Sequence, residues 1–286
     1  MTHLSPKGPY GGLTAAELVE TAKQWDLYDA SVDGWRARPP SYTEVRYDNW
    51  WGSGATLRQL HGLAKDHGIP VAWVPPADVL RELVKADDAH RAKLAVLTAA
   101  EERIRTSCRY EIPELHAGWS EDYAVTVRHV MAAWDDGHLL AAGCLALAGS
   151  EDLMLEIAEV DRKRSKSYKR LQQAAARDLE ESLWLHEQVA LTPIGPLFTK
   201  YMPEDNDPIP EALSRHAVVH RMPLDHFNDG HCIVAIMLMV SLLREMEERR
   251  TQAQVSSLID SLIDDRRYGE DLDVEWDREP DFDPPD

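Results

Sequence analysis

Phenylalanine and cysteine are scarce in this chain, with 3 of each among 286 residues. Cys108, Cys144 and Cys232 are far apart, odd in number and outside any CxxC spacing. That pattern excludes a disulfide scaffold or a zinc ribbon and fits reduced thiols. Long apolar runs are lacking too. The longest, Cys232–Leu243, has 12 residues, which is too short for a membrane span and suits a buried helix. The opening MTHLSPKGPYGG has neither the basic start nor the apolar stretch of a secretory signal. The phosphate-cradling GxxxxGK-Ser/Thr loop, the dinucleotide GxGxxG and the GxSxG elbow are all absent. NTPase, Rossmann oxidoreductase and hydrolase readings therefore have no positive support. The expectation is a soluble, cytoplasmic protein with no membrane association and no cofactor.

Basic residues are in short supply, 31 Lys and Arg against 50 Asp and Glu, for a net charge of −19. Thr251–Asp286 alone holds 12 acidic and 3 basic residues, almost half of the excess. An acidic surface repels nucleic acid on average, so only a local patch can attract it. One basic run exists. Arg162–Arg177 has seven basic residues and no acidic one. Arg162, Lys163, Arg164, Lys166, Lys169 and Arg170 are its candidate contacts to a phosphate backbone. A solvated helix face, paired with the acidic tail or with Glu101–Glu102, accounts for the run equally well.

What the chain does contain is helical periodicity. Leu13–Tyr28 opens on Thr14 with Glu17 at the capping-box position. Residues 30–55 are rich in Trp, Pro and Gly without a period. Trp50–Trp51 reads there as packing of an irregular segment, ahead of a ligand platform. Thr56–Gly68 is a short helix ended by glycine, and Ile69–Val74 is extended, as a strand or as a connector. From Ala77 the pattern predicts helices over Ala77–Ala86, Asp88–Tyr110, Glu121–Trp134, His138–Ala148, Glu151–Val160 and Arg162–Val189. An Asp135-Asp136-Gly137 turn separates the third and fourth. Five prolines make Thr192–Pro210 a long connection. Glu211–His220 follows as a helix opened by Pro210, then Gly230–Arg250 as the core helix and Val255–Ile263 as an amphipathic one. Asp264–Asp286 is acidic and poor in apolar residues, the composition of a disordered tail. The expected fold is an all-α helical bundle over 77–250, preceded by a less regular portion over 1–76 and followed by an acidic tail over 251–286.

Chemistry concentrates in Leu213–Glu247, where Arg215, His216 and His220 stand directly before the core helix. His216 and His220, four apart, share a helix face. Arg215 is about 140° around the axis from His220, so it must lie at a helix entrance, or a second subunit must complete the site. Imidazole exchanges protons near neutral pH and guanidinium holds phosphate oxygens, a combination suited to metal-free phosphodiester chemistry. The same residues could equally cap and bridge helices. The His216/His220 spacing, with Asp225, His226, His231 and Cys232 nearby, also raises metal binding. HExxH is absent, however, and no complete ligand set can be defined.

At Arg215-His216-Ala217-Val218-Val219-His220 the sequence resembles the HEPN superfamily, whose motif is Arg, a polar residue, usually three more residues, then His beside a long bundle helix. The resemblance covers roughly Glu121–Glu247. It implies a helical, dimeric protein, with many members acting as metal-independent endoribonucleases in toxin–antitoxin, phage-defence or RNA-processing systems and others binding or regulating without catalysis. It would make His220 the proton donor and acceptor, Arg215 the stabiliser of a pentavalent phosphate and His216 an orienting group. Arg221 departs from the small residue common after the His. The partners it implies are RNA and a second copy of the chain, while the acidic tail suggests a protein partner. GIPVAWVPPADVL, AWDDGHLLAAGCLALA and LSRHAVVHRMP together also resemble helical proteins of high-GC actinobacteria, which implies no activity.

Overall fold

The computed structural model describes residues 48–50, 52–112, 121–157, 169, 189–220 and 225–248. The expectations placed on Leu13–Tyr28, Trp51, Val255–Ile263, the acidic tail and most of Arg162–Val189 lie outside these residues. Of the basic run only Lys169, helical and exposed, is among them. The chain divides into two compact units, Met1–Met246 and Glu247–Asp286. The first is an all-α helical bundle, with no strand among the described residues.

After a 3₁₀ turn at Asp48–Trp50 come α1 (Leu57–His67), α2 (Ala77–Lys85), α3 (His90–Ala99), α4 (Glu101–Glu111), α5 (Glu121–Asp135), α6 (Leu139–Ile157), the single turn α7 (Ile194–Leu197) and α8 (Arg215–His220). A last helix, α9, runs over residues 229–248. No described helix is long and apolar enough to cross a membrane.

Local chemistry sets several boundaries. Thr56 caps α1 in a reciprocal box: Gln59 N–H donates to Thr56 Oγ1 at 3.2 Å, and Thr56 N–H donates to Gln59 Oε1 at 2.9 Å. Gly68 ends the helix in the left-handed region, at φ 65°. Thr56→Ala removes one side of this box and should lower the unfolding free energy in urea by about 1 kcal/mol. An unchanged midpoint would show that the box contributes nothing. Gly137, at φ 81°, closes α5 as expected from the Asp-Asp-Gly turn. His138 N–H bonds Ala133 O at 2.8 Å and Gly137 N–H bonds Trp134 O at 3.0 Å, the paired bonds of a Schellman turn.

Other boundaries depart from the periodicity. Asp88–Tyr110 is two helices, because the backbone kinks at Ala100 (φ −98°, ψ 9°), whose N–H is shared between Val96 O and Leu97 O. The segments expected as His138–Ala148 and Glu151–Val160 are instead one helix over Leu139–Ile157, α6. Gly149 is tolerated inside it because Met239 and Thr126 pack where a Cβ would stand, and Ser150 Oγ bonds back to Ala146 O at 2.7 Å. Thr192–Pro210 contains α7 and a 3₁₀ turn at Pro203–Asp205. Ile69–Val74 is a buried connector without a ladder. Side chains satisfy its carbonyls: Asn49 Nδ2 donates to Val71 O and Pro75 O, Trp50 Nε1 to Val71 O, and Ser241 Oγ to Ala72 O. Trp50 is thus a packing residue, 2% exposed.

The bundle is built around α9. Every residue from 230 to 243 is buried, so this helix is covered all round, as a central helix is. It meets α6 at Gly143, α3 at Leu94 and the connector at Ala72. Arg244 at its far end pairs with Glu111 of α4 at 3.0 Å and lies over the Trp73 ring, 4.7 Å from the centroid.

Candidate functional site

The α8 helix begins at Arg215 and not at Glu211, because Ser214 supplies the cap. The buried Ser214 hydroxyl accepts from Ala217 N–H at 3.3 Å and donates to Thr199 O at 3.1 Å, while Val218 N–H bonds Ser214 O. Arg215 therefore stands at the helix entrance, one of the two placements its spacing to His220 allowed. Leu213, Ala217 and Val218 bury the inner side of α8, whereas Val219 is 60% exposed.

Arg215 does not reach into open solvent. Its Nε and Nη2 both donate to Glu151 Oε2 of α6, at 2.9 and 2.8 Å. With side chains 25% and 21% exposed, the pair is partly desolvated and fixes the direction of the guanidinium. His216 is half-buried on the first turn. His220 ends the helix, and its side chain lies outside the described residues. Nothing in the sequence pointed to Glu151, which is 64 positions away.

A second cluster, of histidines, lies just behind this helix. His226 and His231, noted in the sequence only for their proximity to His216 and His220, meet His90 of α3 and His67 of α1. All four are buried. The rings follow one another at centroid distances of 5.6 Å (His67–His90), 5.3 Å (His90–His231) and 4.8 Å (His231–His226). His90 Nε2 is 3.0 Å from His231 Nε2, and His231 Nδ1 bonds the His226 carbonyl. Ser214 N–H donates to His226 Nε2 at 3.2 Å, which joins the cluster to the residue that caps α8. His67 Nε2 lies 3.3 Å from the solvent-exposed Asp88 carboxylate. Burial pushes His90 and His231 down to about 4 and holds His226 below the ordinary imidazole range.

Among the described residues no group of three or more His, Cys, Asp or Glu is arranged to hold a metal ion. The cysteines are free thiols; burial raises all three, Cys232 to about 12, so they are poorly disposed to form a nucleophilic thiolate.

Fold and site together define an all-α bundle with a short Arg–His helix tethered to its core. No family model, curated protein or solved structure matches the chain.

Proposed function

We propose that this chain is a HEPN-like helical protein that acts on RNA in the cytoplasm, with metal-independent endoribonuclease chemistry at the α8 helix. The observation that supports it is the Arg215–Glu151 pair. A carboxylate from a neighbouring helix orients the guanidinium at the entrance of the Arg-x-x-x-x-His helix, as a preorganised phosphate ligand requires. In this reading Arg215 stabilises the phosphate as negative charge builds on it, His220 exchanges a proton with the attacking 2′-OH or the leaving oxygen, and His216 orients. A homodimer would bring a second Arg–His set to the site. The basic run from Arg162 to Arg170 would track the backbone that the acidic surface elsewhere repels. Stress response or phage defence is the biological setting that fits such an activity.

The same pair favours a second reading, a non-catalytic HEPN-like module whose helical surface or acidic tail binds a protein partner. Glu151 neutralises the guanidinium it orients, and RNA must compete with that carboxylate.

The test is RNA cleavage by the purified full chain in EDTA. Arg215→Ala and His220→Ala, each checked for a wild-type melting transition, should lower the rate about 100-fold or more. Cleavage that persists in both folded variants overturns the site. RNA binding without cleavage in the wild type supports the module, and neither binding nor cleavage removes RNA from the account altogether.

A further inference from the structure

We propose that the row His67–His90–His231–His226 is an acid-operated latch on α8: proton uptake by the row breaks the bond between His226 and Ser214 and releases the helix from its N-terminal anchorage. This goes beyond the RNA reading, since it concerns only how α8 is held.

One arrangement of protons satisfies the side-chain hydrogen bonds of the row. A carbonyl only accepts, so His231 Nδ1, bonded to His226 O, carries the proton. A neutral imidazole has a single N–H, so His231 Nε2 is an acceptor and His90 Nε2, 3.0 Å away, is the donor. His90 Nδ1 is then a bare lone pair, and it is buried with no hydrogen-bond partner among the described residues. On the other side, Ser214 N–H donates to His226 Nε2, so that nitrogen is bare. His226 also makes a backbone bond with Pro210. Proline has no N–H, so the His226 Nδ1–H must donate to its carbonyl.

Every nitrogen in this arrangement assumes neutral rings, and an additional proton disrupts it. On His226 Nε2 it would face the Ser214 N–H, donor against donor. On His231 Nε2 it would face the His90 N–H. On His90 Nδ1 it would sit without an acceptor in a buried pocket.

Among the described residues, the groups around the row do not supply a compensating charge within it. Asp88, between α2 and α3, meets His67 and is fully exposed. Lys93 of α3 is buried and gives its ammonium to Leu83 O and Ala86 O, adding positive charge one turn from His90. Asp225 and Asp229 on the His226 loop and at the start of α9 are exposed. Glu211 meets His231 through its backbone. Burial is the largest cause lowering the proton affinities of His90, His231 and His226, and it outweighs the backbone bonds that raise those of His226 and His231. His226 is the ring that touches the α8 cap, so protonation is relieved most directly by swinging the His226 loop away from Ser214.

The experiment is amide hydrogen exchange of the full chain at pH 7 and pH 5, corrected for the intrinsic exchange rate. Protection at Ser214, Ala217 and Val218 should fall about tenfold or more at pH 5, while amides in the middle of α9 keep theirs. His226→Gln offers Ser214 a non-titrating acceptor, and protection there should lose its pH dependence. Equal protection of the wild type at both pH values overturns the latch, as does a pH dependence in His226→Gln like that of the wild type. If His226→Gln is unprotected throughout, ring nitrogen NMR of the wild type decides. Loss of Ser214 protection that tracks the His226 or His231 titration supports the latch, and loss that tracks neither overturns it.

Discussion

Between pH 6.5 and pH 5 the unfolding free energy should fall by roughly 1.5 kcal/mol for each of His90 and His231. The sign follows from proton binding. Burial lowers both to about 4 in the folded chain, whereas an unfolded imidazole titrates near 6.5. The unfolded state therefore binds more protons throughout this window. Full stability is present above the unfolded value and is lost as pH falls toward the folded one. Asp78 and Glu82, held low partly by hydrogen bonds to Arg103, do not add to the effect at these pH values, because they lose their contribution only in stronger acid. The chain's charge of −19 works in the opposite direction, since acid relieves its self-repulsion. His90→Phe isolates the row, because it keeps a ring against His67 and removes one titrating group while leaving that charge unchanged at pH 7. Urea unfolding at pH 6.5 and 5 should show a loss smaller by about 1.5 kcal/mol in the variant. An identical loss in both proteins would mean that His90 is not a buried neutral group.

The second large effect lies where α6 crosses α9. A Cβ on Gly143 would come within 2.9 Å of both Cys232 Cα and Cys232 Cβ, and that backbone belongs to the central helix. Gly143→Ala should destabilise the chain by about 2 kcal/mol or more, despite the better helix propensity of alanine. Gly149→Ala, two turns on in the same helix, meets the flexible end of Met239 at 3.0 Å and Thr126 Cγ2 at 3.3 Å. The side chain can move aside, and the helix-propensity gain of about 1 kcal/mol offsets the repacking. Chemical denaturation of the two variants side by side reads the difference. Equal stability would mean that α6 and α9 do not meet as closely as these distances require.

Both predictions concern contacts between segments distant in sequence, and this is where the sequence is least informative. Gly68 and Gly137 act through local backbone geometry, so the ends of α1 and α5 could be read directly from composition. The kink at Ala100 and the continuity of α6 through Gly149 could not. Alanine is an excellent helix former and glycine a poor one, yet the helix breaks at the alanine and continues through the glycine, since packing overrides a propensity of about 1 kcal/mol. At the candidate site, Arg215 and His216 were legible as a motif, and the helix entrance was one of the placements their spacing allowed. Glu151 was not legible.

By itself, then, the chain's sequence determined a helical bundle with one largely apolar central helix, because periodicity and apolar content act over a few turns. It also marked Arg215, His216 and His220 as the polar run worth testing. Only the tertiary structure decided that Arg215 is tethered to Glu151 and that His67 and His90 join His226 and His231 in one buried row. The Arg215–Glu151 pair joins residues 64 positions apart and the His90–His231 contact residues 141 apart. No local pattern encodes which distant side chains will meet; that is settled only when the helices pack around α9 and bury these groups together.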